Sequence, residues 1–193
     1  GSAPQGAIAS YPTLEDGSPV PAVVIFDGDT IAISGVVPTK EASARLETLA
    51  LANSAVPNAA VANFLTINPD VPIGVGVRVV EMQSARFPES SDRIVAEHGA
   101  QLDRAIAVMN ALPNITATVV GHADQRGDET RNYEISVDRA QAVVDYMTAQ
   151  GIQPSRLAAR AVGEADLLTL NSDEMALALN RRTEFIFYGL LVE

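Results

Sequence analysis

The stretch from Ile115 to Met147 constrains the fold of this chain more than any other. Residues 115–120, Ile-Thr-Ala-Thr-Val-Val, alternate in polarity and read as a strand, and Gly121-His122-Ala123-Asp124 sets a carboxylate where that strand runs out. After a polar loop, Ser136 precedes apolar residues at Ala140, Val143, Val144 and Met147, which is helical spacing with Ser136 as the expected N-cap. On this reading Asp124 ends a strand, Arg139 stands in the first turn of the next helix, and the two can face each other across the loop.

One anion and one cation, with helix N-terminal N–H groups beside the cation, complement an amino-acid centre that itself carries both signs. Asp124 would take the ammonium, while Arg139 and the helix start would take the carboxylate. A cation in a first helical turn opposes the macrodipole by roughly 0.3–1 kcal/mol, so Arg139 sits where stability alone prefers Asp or Glu. Departures of that kind are expected at functional positions. Plainer readings stay open: Asp124 can cap its own loop by accepting backbone N–H bonds, and Arg139 can pair with Asp124 or Asp138. His122 lies near Asp124, Asp128 and Glu129, but one histidine and scattered carboxylates have no recognised metal-ligand spacing. It reads as a buried strand-end residue with its ring nitrogens on loop carbonyls, and neither a metal nor a cofactor is expected. His98 reads as a helix-surface residue, Phe87 as core and Arg182 as a structural ion-pair member.

At 193 residues, with 47% of them hydrophobic, the chain has room for one large or two small domains with real cores. A formal charge of −11 argues against nucleic acid, whose backbone demands a basic face. The same charge disfavours loose adhesion to anionic lipid. The absence of cysteine excludes disulfides, thiolate metal sites and a lipidated cysteine within these residues. That is compatible with an extracytoplasmic home. No run is long and apolar enough to span a bilayer. Gly1-Ser2 reads as a cloning scar, so a signal peptide or N-terminal anchor is expected ahead of it.

Three segments are expected along the chain. Residues 1–20, with Pro4, Pro12 and Pro19, read as an extended leader or linker. In residues 21–70, strands over 22–26 and 30–34 form a hairpin, a helix starts at Pro38-Thr39, and a strand covers about 64–67, making a small βαβ module. In residues 71–193, strands are expected over 75–80, 115–120, 157–161 and 183–188. Ser84-Ala85-Arg86-Phe87 leads to a helix expected from about Asp92, and further helices are expected from Ser136 to Gln150 and over about 173–179. This is an α+β pattern, βαβαβ(α)β, with helices packed on a small mixed sheet.

The wording Gly121-His122-Ala123-Asp124-Gln125-Arg126-Gly127, followed by Asn132, Ile135-Ser136, Arg139-Ala140, Gly151-Ile152 and Asn180-Arg181-Arg182-Thr183-Glu184, resembles the OmpA-like peptidoglycan-binding domain. It looks most like the peptidoglycan-associated lipoprotein branch, over roughly 71–188. The resemblance implies a cell-envelope domain, anchored through a missing segment, that binds the diaminopimelate residue of peptidoglycan stem peptides without cleaving it. It carries ligand contact onto Asp124, Arg139, Asn132 and Arg181, with Ala123, Gly127 and Ser136 as loop and backbone support. Two departures stand out: Arg131 precedes Asn132 where the family usually has Tyr or Leu, and Ala161-Val162-Gly163-Glu164 replaces the usual Gly-Tyr-Gly-Glu. Residues 21–70 bear a weaker resemblance to a BON module, which implies an envelope-associated interaction unit. The alternatives are therefore a scaffold that meets envelope proteins through that module, or a wall hydrolase using His122 and Asp124. Against the hydrolase, the sequence offers no nucleophile elbow, no zinc ligand set and no telling glutamate pair.

Overall fold

Alternating apolar residues on seven strands meet in one continuous sheet. The computed structural model describes residues 19–82 and 86–192, so the leader expected over 1–20 and the Ser84-Ala85 approach to the second helix lie largely outside the described residues. The strands are β1 (Ala22–Asp27), β2 (Thr30–Val37), β3 (Ala60–Ile67), β4 (Val77–Glu81), β5 (Thr116–Gly121), β6 (Leu157–Ala161) and β7 (Thr183–Tyr188), in the order β3-β2-β1-β4-β7-β5-β6. The pairs β2–β3, β1–β4 and β5–β6 are parallel, and the other three are antiparallel. Consecutive parallel neighbours need a crossover. The helix α1 (Lys40–Ala52) supplies it between β2 and β3, and α3 (Glu129–Ala149) between β5 and β6. Two more helices, α2 (Gly99–Ala111) and α4 (Glu174–Asn180), follow β4 and β6. The architecture is mixed α/β, as the βαβαβ(α)β pattern anticipates, and the ladder of 22–26 against 77–81 carries the sheet on into the first βαβ unit.

Strand register explains why all three long helices lie on one face. Ile33, Val24, Val79, Phe185 and Val119 stand opposite one another in successive strands and form a single apolar row. Against it pack Ala42, Leu46 and Ala50 of α1, Leu102, Ala105 and Met109 of α2, and Ala140, Val143 and Met147 of α3. Each fully buried aliphatic or phenyl group contributes roughly 1.5–3 kcal/mol, so this row is where the fold is held.

Two helix starts differ from expectation. Helix α3 begins at Glu129, where the Asp128 carboxylate accepts the Arg131 N–H at 3.1 Å. Ser136 and Arg139 are therefore well inside the helix, and the macrodipole argument for Arg139 does not apply. The buried stripe of α3 runs through Asn132, Ile135, Ser136, Arg139 and Ala140 before it becomes apolar at Val143 and Met147. Its first half is helical by spacing but polar by composition, so hydrophobic periodicity does not detect it. Helix α2 begins at Gly99, after a single 3-10 turn over 96–98, rather than near Asp92. There the His98 ring is buried, not on the surface: its Nδ1 accepts the Val95 N–H at 3.1 Å and it lies 4.6 Å from the Phe87 ring.

At Gly121, β5 and α3 come into backbone contact, since a Cβ there would stand 1.9 Å from the Ser136 carbonyl oxygen. Gly121→Ala must push α3 off the sheet, and overpacking of this kind costs about 3 kcal/mol. Urea denaturation of the variant is expected to show that loss; a midpoint equal to the parent's would show that the close approach is not required.

Candidate functional site

The site forms where β5 stops. Beyond Gly121 the chain leaves the sheet but stays anchored: His122 N–H donates to the Arg182 carbonyl at 2.9 Å and Ala123 N–H to the Gly163 carbonyl at 2.8 Å. This fixes Asp124 at the floor of a small open hollow, lined among others by Glu89, Asn132, Arg139 and Arg181. All four residues expected to contact ligand (Asp124, Asn132, Arg139 and Arg181) line this one hollow. Two of the three expected support residues act through backbone and loop geometry. Ala123 donates as just described, and Gly127 takes a left-handed φ of +90° that turns the chain into the Asp128 cap. The third, Ser136, donates its hydroxyl to the Tyr133 carbonyl at 2.7 Å and accepts the Gly163 N–H at 2.9 Å, tying α3 to the loop after β6.

Asp124 and Arg139 are not paired with each other. The Asp124 carboxylate accepts the Arg126 backbone N–H at 3.0 Å, the Arg126 guanidinium at 3.3 and 2.9 Å, and Arg181 Nη1 at 3.1 Å. These four bonds fill its roughly four lone-pair positions. Arg181 is itself braced, donating to the Phe87 carbonyl at 2.9 Å and to Glu174 at 2.6 Å. Burial opposes the Asp124 charge, yet the Arg126 side chain and backbone, and then Arg181, hold its carboxyl below the usual range.

Arg139 is held differently. It is 1% exposed, and its Nε, Nη1 and Nη2 donate to the carbonyls of Ser91, His122 and Pro88 at 2.9, 2.8 and 3.1 Å. Its guanidinium lies 5.2 Å from the centre of the Phe87 ring. No carboxylate lies within ion-pair distance of it among the described residues. Burial, and then the neighbouring Arg181, lower its pKa to about 10, so it stays cationic at neutral pH. A guanidinium has five N–H groups; three are taken by carbonyls, and one on each terminal nitrogen remains. Asn132 completes the wall. Its amide donates to the Arg126 carbonyl at 2.9 Å and to the Glu164 carboxylate, leaving its own oxygen as an acceptor.

Sequence reasoning missed Arg126 as the main occupant of Asp124 and missed the 88–91 carbonyls that cradle Arg139. Arg126 lay within the motif, two residues from Asp124. The cradle had no signal, because backbone acceptors are indifferent to side-chain identity.

His122 belongs to a separate buried cluster behind the hollow. Its Nε2 lies 3.7 Å from Glu184, which also takes Arg78 at 2.5 Å and Arg182 at 2.7 Å, while Arg78 reaches Asp166 at 2.8 Å. His122, Asp166 and Glu184 are close enough to share a cation. Two guanidiniums already occupy both carboxylates, so the cluster fits an ion-pair network and not a metal centre. Burial and the Arg182 charge push the His122 pKa down to about 3 and keep the ring neutral.

Because its folded pKa is depressed, Asp124 contributes stability that is full above the unfolded carboxyl value and is lost as pH falls through the folded one. The gap in thermal midpoint between the parent and Asp124→Asn is therefore expected to stay constant above about pH 5 and to close only in more acidic solution. A gap that closes nearer neutrality would contradict the ion pairing described.

Comparison with known proteins bears on this arrangement. Residues 86–181 match the OmpA family model. The peptidoglycan-binding protein ArfA of Mycobacterium tuberculosis is 24% identical over 169 residues, which cover 82% of this chain and 51% of ArfA. The peptidoglycan-associated lipoprotein of Rhizobium meliloti is 29% identical over 120 residues, 62% of this chain and 65% of that protein. This chain thus spans between half and two thirds of the length of these curated relatives. The crystal structure of the peptidoglycan-associated lipoprotein from Burkholderia pseudomallei shares the fold, with a TM-score of 0.51 at 23% identity over 53% of this chain and 87% of that one. Through residues 86–181, this chain belongs to the OmpA family.

Proposed function

We propose that this chain binds peptidoglycan without cleaving it, gripping the diaminopimelate residue of the stem peptide and so tethering an envelope component to the wall. The observation that carries this reading is Arg139: a buried guanidinium with three N–H groups on backbone carbonyls, no partner carboxylate among the described residues, and two N–H groups unspent. A ligand carboxylate supplies the missing charge and accepts the remaining pair. Four arginines and only two acids line the hollow of a chain whose net charge is −11, which favours a ligand that brings a carboxylate. Diaminopimelate brings a zwitterionic centre on its side chain, and its second carboxylate distinguishes it from lysine.

The ammonium goes to Asp124, and one existing guanidinium must leave. Arg181 is 7% exposed and braced on two sides, whereas Arg126 is 38% exposed with Glu89 and Glu174 at 3.5 and 3.6 Å to receive it. Arg126 therefore yields its place, and Asn132 offers its free oxygen to the same ammonium. The ArfA and lipoprotein relatives, named for peptidoglycan, support the ligand class. The lining has one hydroxyl, Ser90, and no histidine or cysteine, which supports binding in place of hydrolysis. Such a ligand requires an extracytoplasmic location in the cell envelope.

Co-sedimentation with purified sacculi tests this reading. The parent is expected to pellet with diaminopimelate-type walls, to release no soluble fragments, and to bind lysine-type walls poorly. Asp124→Asn and Arg139→Ala are expected to lose roughly 2–5 kcal/mol of binding, at least about thirtyfold, because each leaves half of a zwitterion unpaired in a desolvated site. Released fragments would indicate an enzyme; retention of both variants equal to the parent, or equal binding to both wall types, would reject the site.

A further inference from the structure

The sheet ends on two unlike edges. At one end β6 carries Arg160 and follows Pro154, both common protections of an open edge. At the other end β3 reads Ala-Val-Ala-Asn-Phe-Leu-Thr-Ile, with neither charge nor proline. No charged residue occurs anywhere between Glu47 and Asp70.

Hydrogen bonding shows which backbone groups of β3 are open. Ala60 N–H donates to the Asp29 carbonyl and Asn68 N–H to the Val37 carbonyl, so even-numbered residues point towards β2. Val61, Asn63, Leu65 and Ile67 therefore direct their N–H and C=O groups away from the sheet, and among the described residues no strand pairs with them. One of these donors is covered locally: Leu65 N–H is accepted by the Asn63 side chain at 3.0 Å. On the sheet face without helices, the Phe64 ring is 68% exposed, and Ile67 on the helix face is 41% exposed.

We propose that β3 is a self-association strand, pairing antiparallel with β3 of a second copy about a two-fold axis at Phe64. The occupant is a second copy because the strand is complementary to itself about that point. Centring the axis on Phe64 sets Asn63 opposite Leu65 and Val61 opposite Ile67, so every outward backbone group is paired. On the open face it sets Ala62 opposite Thr66 and Phe64 opposite its own counterpart, and aromatic and β-branched pairs of this kind stabilise neighbouring strands. Each residue thus meets the partner of its mirror position, as a two-fold interface requires. Charge weighs less here than elsewhere: two chains of −11 repel over most of their surfaces, β3 itself carries no charge, and Glu47, which lies against the strand, is held by the Asn63 amide at 2.9 Å. A contact limited to one strand and its flanking side chains buries little area, so the dimer is of the concentration-dependent class. The pairing is remote from the Asp124 hollow and does not depend on what that hollow binds.

Sedimentation velocity on the full chain tests the proposal. The parent is expected to move from monomer to twice the chain mass as concentration rises. Phe64→Lys sets two ammonium groups together at the axis, and it is expected to stay monomeric with an unchanged circular dichroism spectrum. Because the chain contains no cysteine, Phe64→Cys gives an independent reading. At a non-hydrogen-bonded antiparallel pair the Cα atoms stand about 4.5 Å apart, within disulfide reach. Oxidation is therefore expected to give a covalent dimer, which the control Leu170→Cys, at a still more exposed position, does not form. A parent that stays monomeric, a Phe64→Lys variant that still dimerises, or a parent that dimerises only after removal of residues 1–18 would each overturn it.

Discussion

A guanidinium with no carboxylate partner among the described residues, buried beneath the exit of a strand, is the feature on which the site depends. Moving a charge out of water is costly unless it is paired or well hydrogen-bonded. Arg139 meets that requirement with three backbone carbonyls drawn from two separate stretches, 88–91 and His122. Arg139 therefore shapes the hollow as well as charging it, because it folds the 88–91 segment over the loop that carries Asp124. Oxygen dipoles stabilise the cation without neutralising it, and the proposed contact with a ligand anion rests on that charge.

The rest of the fold keeps that geometry in register. Gly121 lets α3 touch β5, so Arg139 lies directly under the strand end. Ser136 locks the same helix to the loop after β6, and Arg181 and Asn180 bind the approach to β7 to the floor of the hollow. Behind this layer, the network of Arg78, Arg182, Glu184, Asp166 and His122 secures β7 against β4 and the loop after β6. The histidine that draws attention in the sequence is a neutral packing element there.

Most of the strands were legible because each alternates on a face that one layer of helices covers. The grouping of Asp124, Asn132, Arg139 and Arg181 in one hollow was legible only through the motif, since these residues are spread over 58 positions and no periodicity links them. The start of α3 was not legible. Its buried stripe begins with Asn132, Ser136 and Arg139, polar residues that belong to the site, so a reading that looks for apolar spacing begins the helix two turns late. The same cause hid His98, which is buried because the 88–95 segment is drawn towards Arg139 and leaves the ring against Phe87. In both places local pattern failed where the chain gives up core composition for the hollow.

The most direct test is a titration of a diaminopimelate-containing stem peptide into the isotopically labelled chain, following backbone amides together with the arginine Nε–H signals. The account predicts saturable shifts at the Arg139 and Arg126 Nε–H groups and at amides 122–126, with a lysine-containing peptide moving them little. Saturable binding that leaves Arg139 unmoved, or shifts gathered away from the Asp124 hollow, would contradict it.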